Sequence, residues 1–306
     1  MKAVMKNKEL LGTMLAVFAA VISGIAIPIN KIFVVDIDPS VFTAIRAVMV
    51  GLVFLLISFA THGVSRKHLK QDWKYLAIIA VIGGALAFLL FFNGLKLTTA
   101  GRAAFLHKTL PIYAAIFAFI FLKEKITRKQ LYAFALMFIG LLVIVASQIK
   151  PADLWMNPQL GDALVIGATV LWALENVVAR KVMKDGSGNF IVSFARMFFG
   201  GLILFGAALL TNKMGILFSL TAQQWNNIFV SVAVLFGYVL FWYWSLRHIN
   251  VSKASILLLI SPVVSLVVGN VWLKEPLPAV QLMGCMLILV GAYFVAGLKS
   301  ETQTAV

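Results

Sequence analysis

The 306-residue chain is 62% hydrophobic and only 12% charged, with a net charge of +15. A soluble domain carries about 25% charged residues and does not repeat apolar runs of roughly twenty residues along its length, so composition excludes a soluble fold. The basic excess reads as orientation in the bilayer and attraction to anionic headgroups; no nucleic-acid partner is needed to explain it.

Ten apolar runs are long enough to span a bilayer as helices, near residues 10–31, 40–61, 74–95, 101–122, 130–149, 160–181, 190–211, 226–246, 253–273 and 278–298. The first follows Lys2, Lys6 and Lys8 as a signal peptide would. It is too long for a signal h-region, lacks a small-x-small cleavage site and has an equivalent later in the chain, so it reads as a span. The fourth run holds His107, Lys108 and Pro111, and the sixth holds Trp172, Glu175 and Asn176. Toward the end of the eighth lies Phe241-Trp242-Tyr243-Trp244, which with Trp73, Trp155 and Trp225 reads mainly as interfacial belt, while Gly237, Phe241 and Trp244 share one face that could line a cavity. The ninth run carries Ser261-Pro262, and the tenth holds Cys285, the single cysteine, expected to be a small lipid- or helix-facing core residue. Glycines such as Gly51, Gly84, Gly140, Gly200 and Gly284 are expected to allow close helix approach.

Residues 95–143 recur as 246–294 at a constant shift of 151. Pro111 matches Pro262, Leu122-Lys123-Glu124 matches Leu273-Lys274-Glu275, Gln130-Leu131 matches Gln281-Leu282, and Gly140 matches Gly291. Earlier in each half Gly12 matches Gly161, Lys31 matches Arg180 and Arg46 matches Arg196, at shifts of 149 to 150. The chain is therefore two repeats, 1–150 and 151–306, of five spans each. An odd number of spans makes the second copy enter from the opposite side, giving an all-α membrane protein of ten helices in two inverted five-helix repeats. Basic clusters at Lys2-Lys6-Lys8, Arg66-Lys67-Lys70-Lys74, Lys123-Lys125-Arg128-Lys129 and Arg180-Lys181-Lys184 all fall on one side. Scattered Lys31, Lys96, Lys150, Lys213 and Lys274 fall on the other, which places both termini in the cytoplasm and the protein in the cytoplasmic membrane.

No loop carries a phosphate-binding Gly-rich element or a Cys/His metal cluster, so neither an ATP motor, a metal nor another cofactor is expected. Of the eleven acids only Glu175 lies well inside a span, which leaves a membrane aspartyl protease without its second carboxylate; Asp153 and the others sit at span ends or in loops. The chain is read as a non-enzyme.

Two five-span halves, each closing its fourth helix on Leu-Lys-Glu and each carrying a proline there (Thr109-Leu110-Pro111, Ile260-Ser261-Pro262), resemble the drug/metabolite transporter superfamily, EamA-like branch. Trp172-Ala173 followed by Arg180 fits the family's first-helix pattern in the second half, whereas Ser23-Gly24 replaces the tryptophan in the first. The resemblance covers nearly the whole chain and implies secondary transport of small metabolites.

Two kinds of residue point to a site. Each proline removes an amide from its helix, so Pro111 and Pro262 are expected to free the carbonyls of His107 and Leu258 near mid-membrane, for a substrate or for neighbouring hydroxyls such as Ser261. A charge inside a span costs about 2.5–3.5 kcal/mol and demands a partner or water. Lys108, with His107 beside it, and Glu175 are expected to face one central cavity, with Trp172 and Asn176 alongside Glu175. Arg46 and Arg196 lie nearer span ends and are expected to snorkel or anchor. The reading is a transporter, in the export direction, of a small polar, amino-acid-like zwitterion by alternating access, with a proton as candidate coupling ion at Glu175 or His107. The alternatives are an exporter of hydrophobic cations or drugs using Glu175, and a non-transporting scaffold or sensor.

Overall fold

A computed structural model of the chain describes residues 2–33, 37–61, 66–147, 157–299 and 301–302. Trp155, Lys150 and Asp153 lie outside the described residues, as do the side chains of Lys2, Lys6, Lys31, Arg66 and Lys67. Among the described residues ten helices are long and apolar enough to cross a membrane: α1 (Asn7–Asn30), α2 (Pro39–Ala60), α3 (Lys70–Leu97), α4 (Gly101–Leu122), α5 (Arg128–Ala146), α6 (Leu160–Lys184), α7 (Asn189–Leu210), α8 (Ala222–His248), α9 (Val251–Leu273) and α10 (Ala279–Gly297). Every one of the ten coincides with an apolar run of the sequence.

Local chemistry sets the helix ends. Thr127 and Thr221 begin α5 and α8 as capping boxes with Gln130 and Gln224. The lysines of the two Leu-Lys-Glu motifs, Lys123 and Lys274, adopt left-handed φ values of 56° and 55°, so the motif is the point where each fourth helix turns back. Asp38 caps α2 through the Ser40 and Val41 amides and meets Lys213 Nζ at 2.5 Å. Burial alone would raise the Asp38 pKa. The Lys213 ammonium and the two amides outweigh it and hold the carboxyl below its ordinary value of 3.8.

The inverted symmetry is written in the packing. Helices α5 and α10 pair with each other, as do α2 with α7 and α4 with α9, while α1 packs on α8 and α9 just as α6 packs on α3 and α4. Individual contacts repeat with the halves exchanged. A Cβ on Gly12 would meet His248 and Ile249, and one on Gly161 would meet Leu97 and Thr98, which are the same positions one repeat earlier. Likewise Gly51 abuts Phe198 while Gly201 abuts Val48. Gly140 touches the Gly284 backbone, and Gly291 touches Ala133. Glycine is required at these places because the helix backbones are in van der Waals contact, as in other membrane bundles. Buried ion pairs follow the same pattern at opposite ends of the bundle. Arg102, at the start of α4, pairs with Asp162 of α6, and Lys253, at the start of α9, meets Glu9 of α1 at 2.8 Å.

In space the repeats therefore interleave. One bundle holds α1, α2, α8 and α9, its symmetry mate holds α6, α7, α3 and α4, and the α5–α10 pair stands to the side. Cys285 is buried in α10.

Candidate functional site

A cavity of about 510 Å³ lies between the two four-helix bundles. Its wall runs from Asn176, Arg196 and Trp242 on the deep side to Asn30, Pro39 and Leu95 at helix ends on the face opposite the termini. Both proline-bearing helices break beside it. In α4 the helix interrupts at Lys108 and Thr109, where the Lys108 amide donates to Phe105 O and the Thr109 amide and hydroxyl to Leu106 O at 3.2 and 2.6 Å. In α9 a tight turn over Leu258–Ile260 precedes Ser261 and Pro262. Lys108 Nζ crosses to Ser261 Oγ at 2.6 Å, joining the two breaks.

Aromatic rings form most of the remaining wall. Trp172 packs edge-on to Phe88 and His107, with ring centroids 5.1 and 5.0 Å away, and donates its indole N–H to Gly83 O at 3.1 Å. His107 Nδ1 is buried without a hydrogen-bond partner among the described residues. Tyr238 stacks on Trp242, whose indole N–H donates to Asn176 Oδ1 at 2.9 Å and closes the floor.

Beneath that floor Glu175 is fully buried and is not part of the wall. It accepts a short hydrogen bond from the Tyr243 hydroxyl, and its Oε2 lies 3.5 Å from Arg196 Nε. Gly83 makes the room, since a Cβ there would sit 2.2 Å from Glu175 Cγ. Both helices that frame this pair are widened by one π-turn, at Ile82–Leu86 in α3 and Ala195–Phe199 in α7. Deeper still, at the face carrying the termini, Arg180 Nε meets the fully buried Glu124 at 2.8 Å. The same guanidinium donates to Leu246 O and to Asn250 Oδ1, and Ser252 lies 3.5 Å from the other Glu124 oxygen. This cluster ties α4, α6, α8 and α9 together and closes that end. The strand pair β1 (Glu124–Lys125) and β2 (Glu301–Thr302) holds the C-terminal segment on the same face.

The structure brings His107, Lys108, Trp172 and Asn176 to the cavity, as read from the sequence, and places Ser261 directly behind Lys108. Pro111 and Pro262 mark the breaks without lining the wall. Three expectations change. Glu175 is paired with Arg196 and not with Lys108, because it lies on the side of the bilayer centre nearer the termini whereas Lys108 lies on the other. Arg46 and Arg196 do not snorkel: both are over nine-tenths buried and line the cavity. On α8 the cavity face is Leu235, Tyr238 and Trp242, while Trp244 faces outward and Trp242 and Tyr243 are buried, not belt residues. The sequence held one hint for the arginines, since Arg46 and Arg196 occupy equivalent positions of the two repeats. Trp73, at 59% exposed, does occupy an outward position.

Ten membrane-spanning helices in inverted repeats around a one-sided cavity define a transmembrane transporter fold. The EamA-like transporter family matches the chain twice, over residues 10–146 and 159–297, and the chain belongs to that family. The uncharacterized transporter YyaM of Bacillus subtilis (strain 168) is 27% identical over 283 residues, 91% of each chain. An uncharacterized transporter of Archaeoglobus fulgidus is 29% identical over 276 residues, 89% of this chain and 94% of its own length. A probable amino-acid metabolite efflux pump of Salmonella typhimurium is 28% identical over 257 residues, covering 80% of this chain and 83% of its own. One solved crystal structure superposes with a TM-score of 0.73 at 17% identity over 93% of this chain and 96% of its own, a likeness of fold. The protein is a multi-pass transporter of the cell membrane.

Proposed function

We propose that the chain is a secondary transporter that exports a small, amino-acid-like zwitterion by alternating access, with both termini in the cytoplasm. The observation that carries this reading is the one-sided cavity: about 510 Å³, between symmetry-related bundles, open away from the termini and closed toward them by the Glu124–Arg180 cluster. Its volume suits a metabolite, and polar groups at helix breaks are where membrane transporters hold their cargo. The cations on the wall, Arg46 and Lys108, suit a cargo that carries a carboxylate, and the Trp172, Tyr238 and Trp242 rings offer faces to its ammonium. The moving units are the interleaved bundles, α1, α2, α8 and α9 against α3, α4, α6 and α7. The sequence repeats 1–150 and 151–306 supply the symmetry that makes the two end states equivalent. The Salmonella relative, a probable amino-acid metabolite efflux pump, supports both the amino-acid class and the export direction.

Glu175 is the candidate proton site, reached when Arg196 and Tyr243 part from it. Hydrophobic cations fit less well, because Arg46 and Lys108 put positive charge on the wall and the acid is sealed below it. A scaffold has no need of buried charges around a hollow.

A thermal-shift screen of the purified protein against metabolite classes tests the reading. A bound substrate at a hundredfold excess over its dissociation constant adds about 2.7 kcal/mol of stability. Stabilisation by amino acids or close derivatives is expected, and a response confined to organic cations would reverse the assignment.

A further inference from the structure

The two halves differ by one charge at a symmetric place. At the shift of 149 that aligns Gly12 with Gly161, Glu175 falls on Ala26, and Arg196 corresponds to Arg46. In the second half the acid is present and neutralises its arginine. In the first half Ala26 and Arg46 both line the cavity, and among the described residues no carboxylate meets Arg46. Arg46 is seven residues into α2 and Arg196 seven into α7, so each sits about 10 Å from its own end of the bundle, on opposite sides.

Arg46 is held in place by neutral groups alone. Nη1 donates to Asn30 Oδ1 at 3.1 Å and to Ser231 Oγ at 2.8 Å, and the guanidinium lies 4.2 Å from the centre of the Phe42 ring. Nη2 makes one long contact of 3.4 Å with Thr43 Oγ1, and Nε is buried with no hydrogen-bond partner among the described residues. The Nε–Nη2 edge, the side that grips a carboxylate with two parallel bonds, is thus the edge the protein leaves least occupied. A cation kept at this depth without a counter-charge is costly unless an anion arrives to meet it. The bundle that holds the acid carries two further adaptations to it, Gly83 in the π-turn of α3 and Arg196 in the π-turn of α7, whereas α8 and α2, their counterparts in the other bundle, are regular helices.

We propose that Arg46, with Asn30 and Ser231, forms a carboxylate-binding subsite over Ala26. The carboxylate of the transported molecule takes there the place that Glu175 holds beside Arg196. This rests on the transporter reading and deepens it. The cargo carries a carboxylate, and Arg46 selects for it at the open end of the cavity.

The test uses purified full-length protein, with the fluorescence of cavity residues Trp172 and Trp242 as readout, titrated with a panel of amino acids and the matching amino-acid amides. Wild type is expected to bind acids more tightly than amides by about tenfold or more, the effect of one charge-assisted pair. Ala26→Glu supplies the missing internal acid and is expected to weaken acid binding about tenfold, while Ala26→Gln, equal in size but neutral, retains it. Arg46→Gln removes the preference for acids over amides. Because Ala26→Glu leaves Arg46 in place, the result does not depend on the Arg46 variant folding. Equal affinity in Ala26→Glu and Ala26→Gln, an acid preference that survives Arg46→Gln, or a wild type indifferent to the carboxylate each overturns the subsite. Counterflow of a solute by reconstituted protein with no such preference leaves the transporter reading standing. Absence of counterflow for every solute fails that reading itself and the subsite with it.

Discussion

Lys108 Nζ donates to Ser261 Oγ at 2.6 Å, so the break in one fourth helix is tied to the break in its symmetry mate. The bond bridges the two bundles at the level where they must move past each other. Lys108→Met and Ser261→Ala are each expected to slow substrate exchange in proteoliposomes, with the larger loss for Lys108, which also loses its charge. The double variant is expected to fall short of the summed losses by about 0.5–3 kcal/mol of coupling, as contacting residues do. Strict additivity would show that the bond has no part in the cycle.

Glu175 and Arg196 form the buried pair beneath the cavity, and breaking one partner strands the other. Glu175→Gln and Arg196→Met alone are each expected to destabilise by about 3–5 kcal/mol, with much of that recovered in the double variant. The same cycle between Glu175 and Lys108 is expected to be additive. Thermal denaturation in detergent reads both cycles, and coupling to Lys108 without coupling to Arg196 would contradict the pairing.

Inverted repeats make the loop after α4 and the equivalent loop after α9 face opposite compartments. On a Cys285→Ser background, single cysteines at Lys125 and at Lys274 are expected to react with an impermeant thiol reagent from opposite sides of sealed vesicles. The Lys125 site faces the cytoplasm in the orientation proposed here. Reaction of both from one side would contradict the inversion.

Asp38 is held below its ordinary pKa by Lys213 and the two α2 amides. A depressed carboxyl stabilises the fold above its unfolded value and loses that contribution as pH falls through the lower folded value. Asp38→Asn is therefore expected to lower stability at pH 7 by about 0.2–1 kcal/mol, the range of a partly exposed pair. The gap to wild type closes as the pH drops below 3.8, the ordinary value. A gap that stays constant with pH would assign the effect to the helix cap alone.

The spans and the repeat were legible in the sequence because each has a local signal, an apolar run of bilayer length or a motif such as Leu-Lys-Glu recurring at a fixed shift. His107, Lys108, Trp172 and Asn176 were legible because a charge or break at mid-span narrows the choices for where it faces. The partner of Glu175 was not, because it depends on how neighbouring helices turn their faces: α7 presents Arg196 to Glu175 from within the same bundle, and α8 presents Tyr243 from the other. Arg46 was misread for a related reason. Seven residues from a helix end is shallow enough to snorkel, and only the packing of α1 and α8 around α2 turns that side chain inward. Trp242 looked like belt by its place near a span end until Asn176 and Tyr238 enclosed it.

The central claim is that the cavity carries an amino-acid-like solute across the membrane. Counterflow measures this directly: proteoliposomes preloaded with unlabelled amino acid are diluted into trace radiolabelled substrate. Wild type is expected to accumulate label transiently and saturably, Lys108→Met to lose that overshoot, and Glu175→Gln to keep exchange while losing accumulation driven by a pH gradient. Failure of wild type to exchange any member of a panel of amino acids and their derivatives would contradict the account.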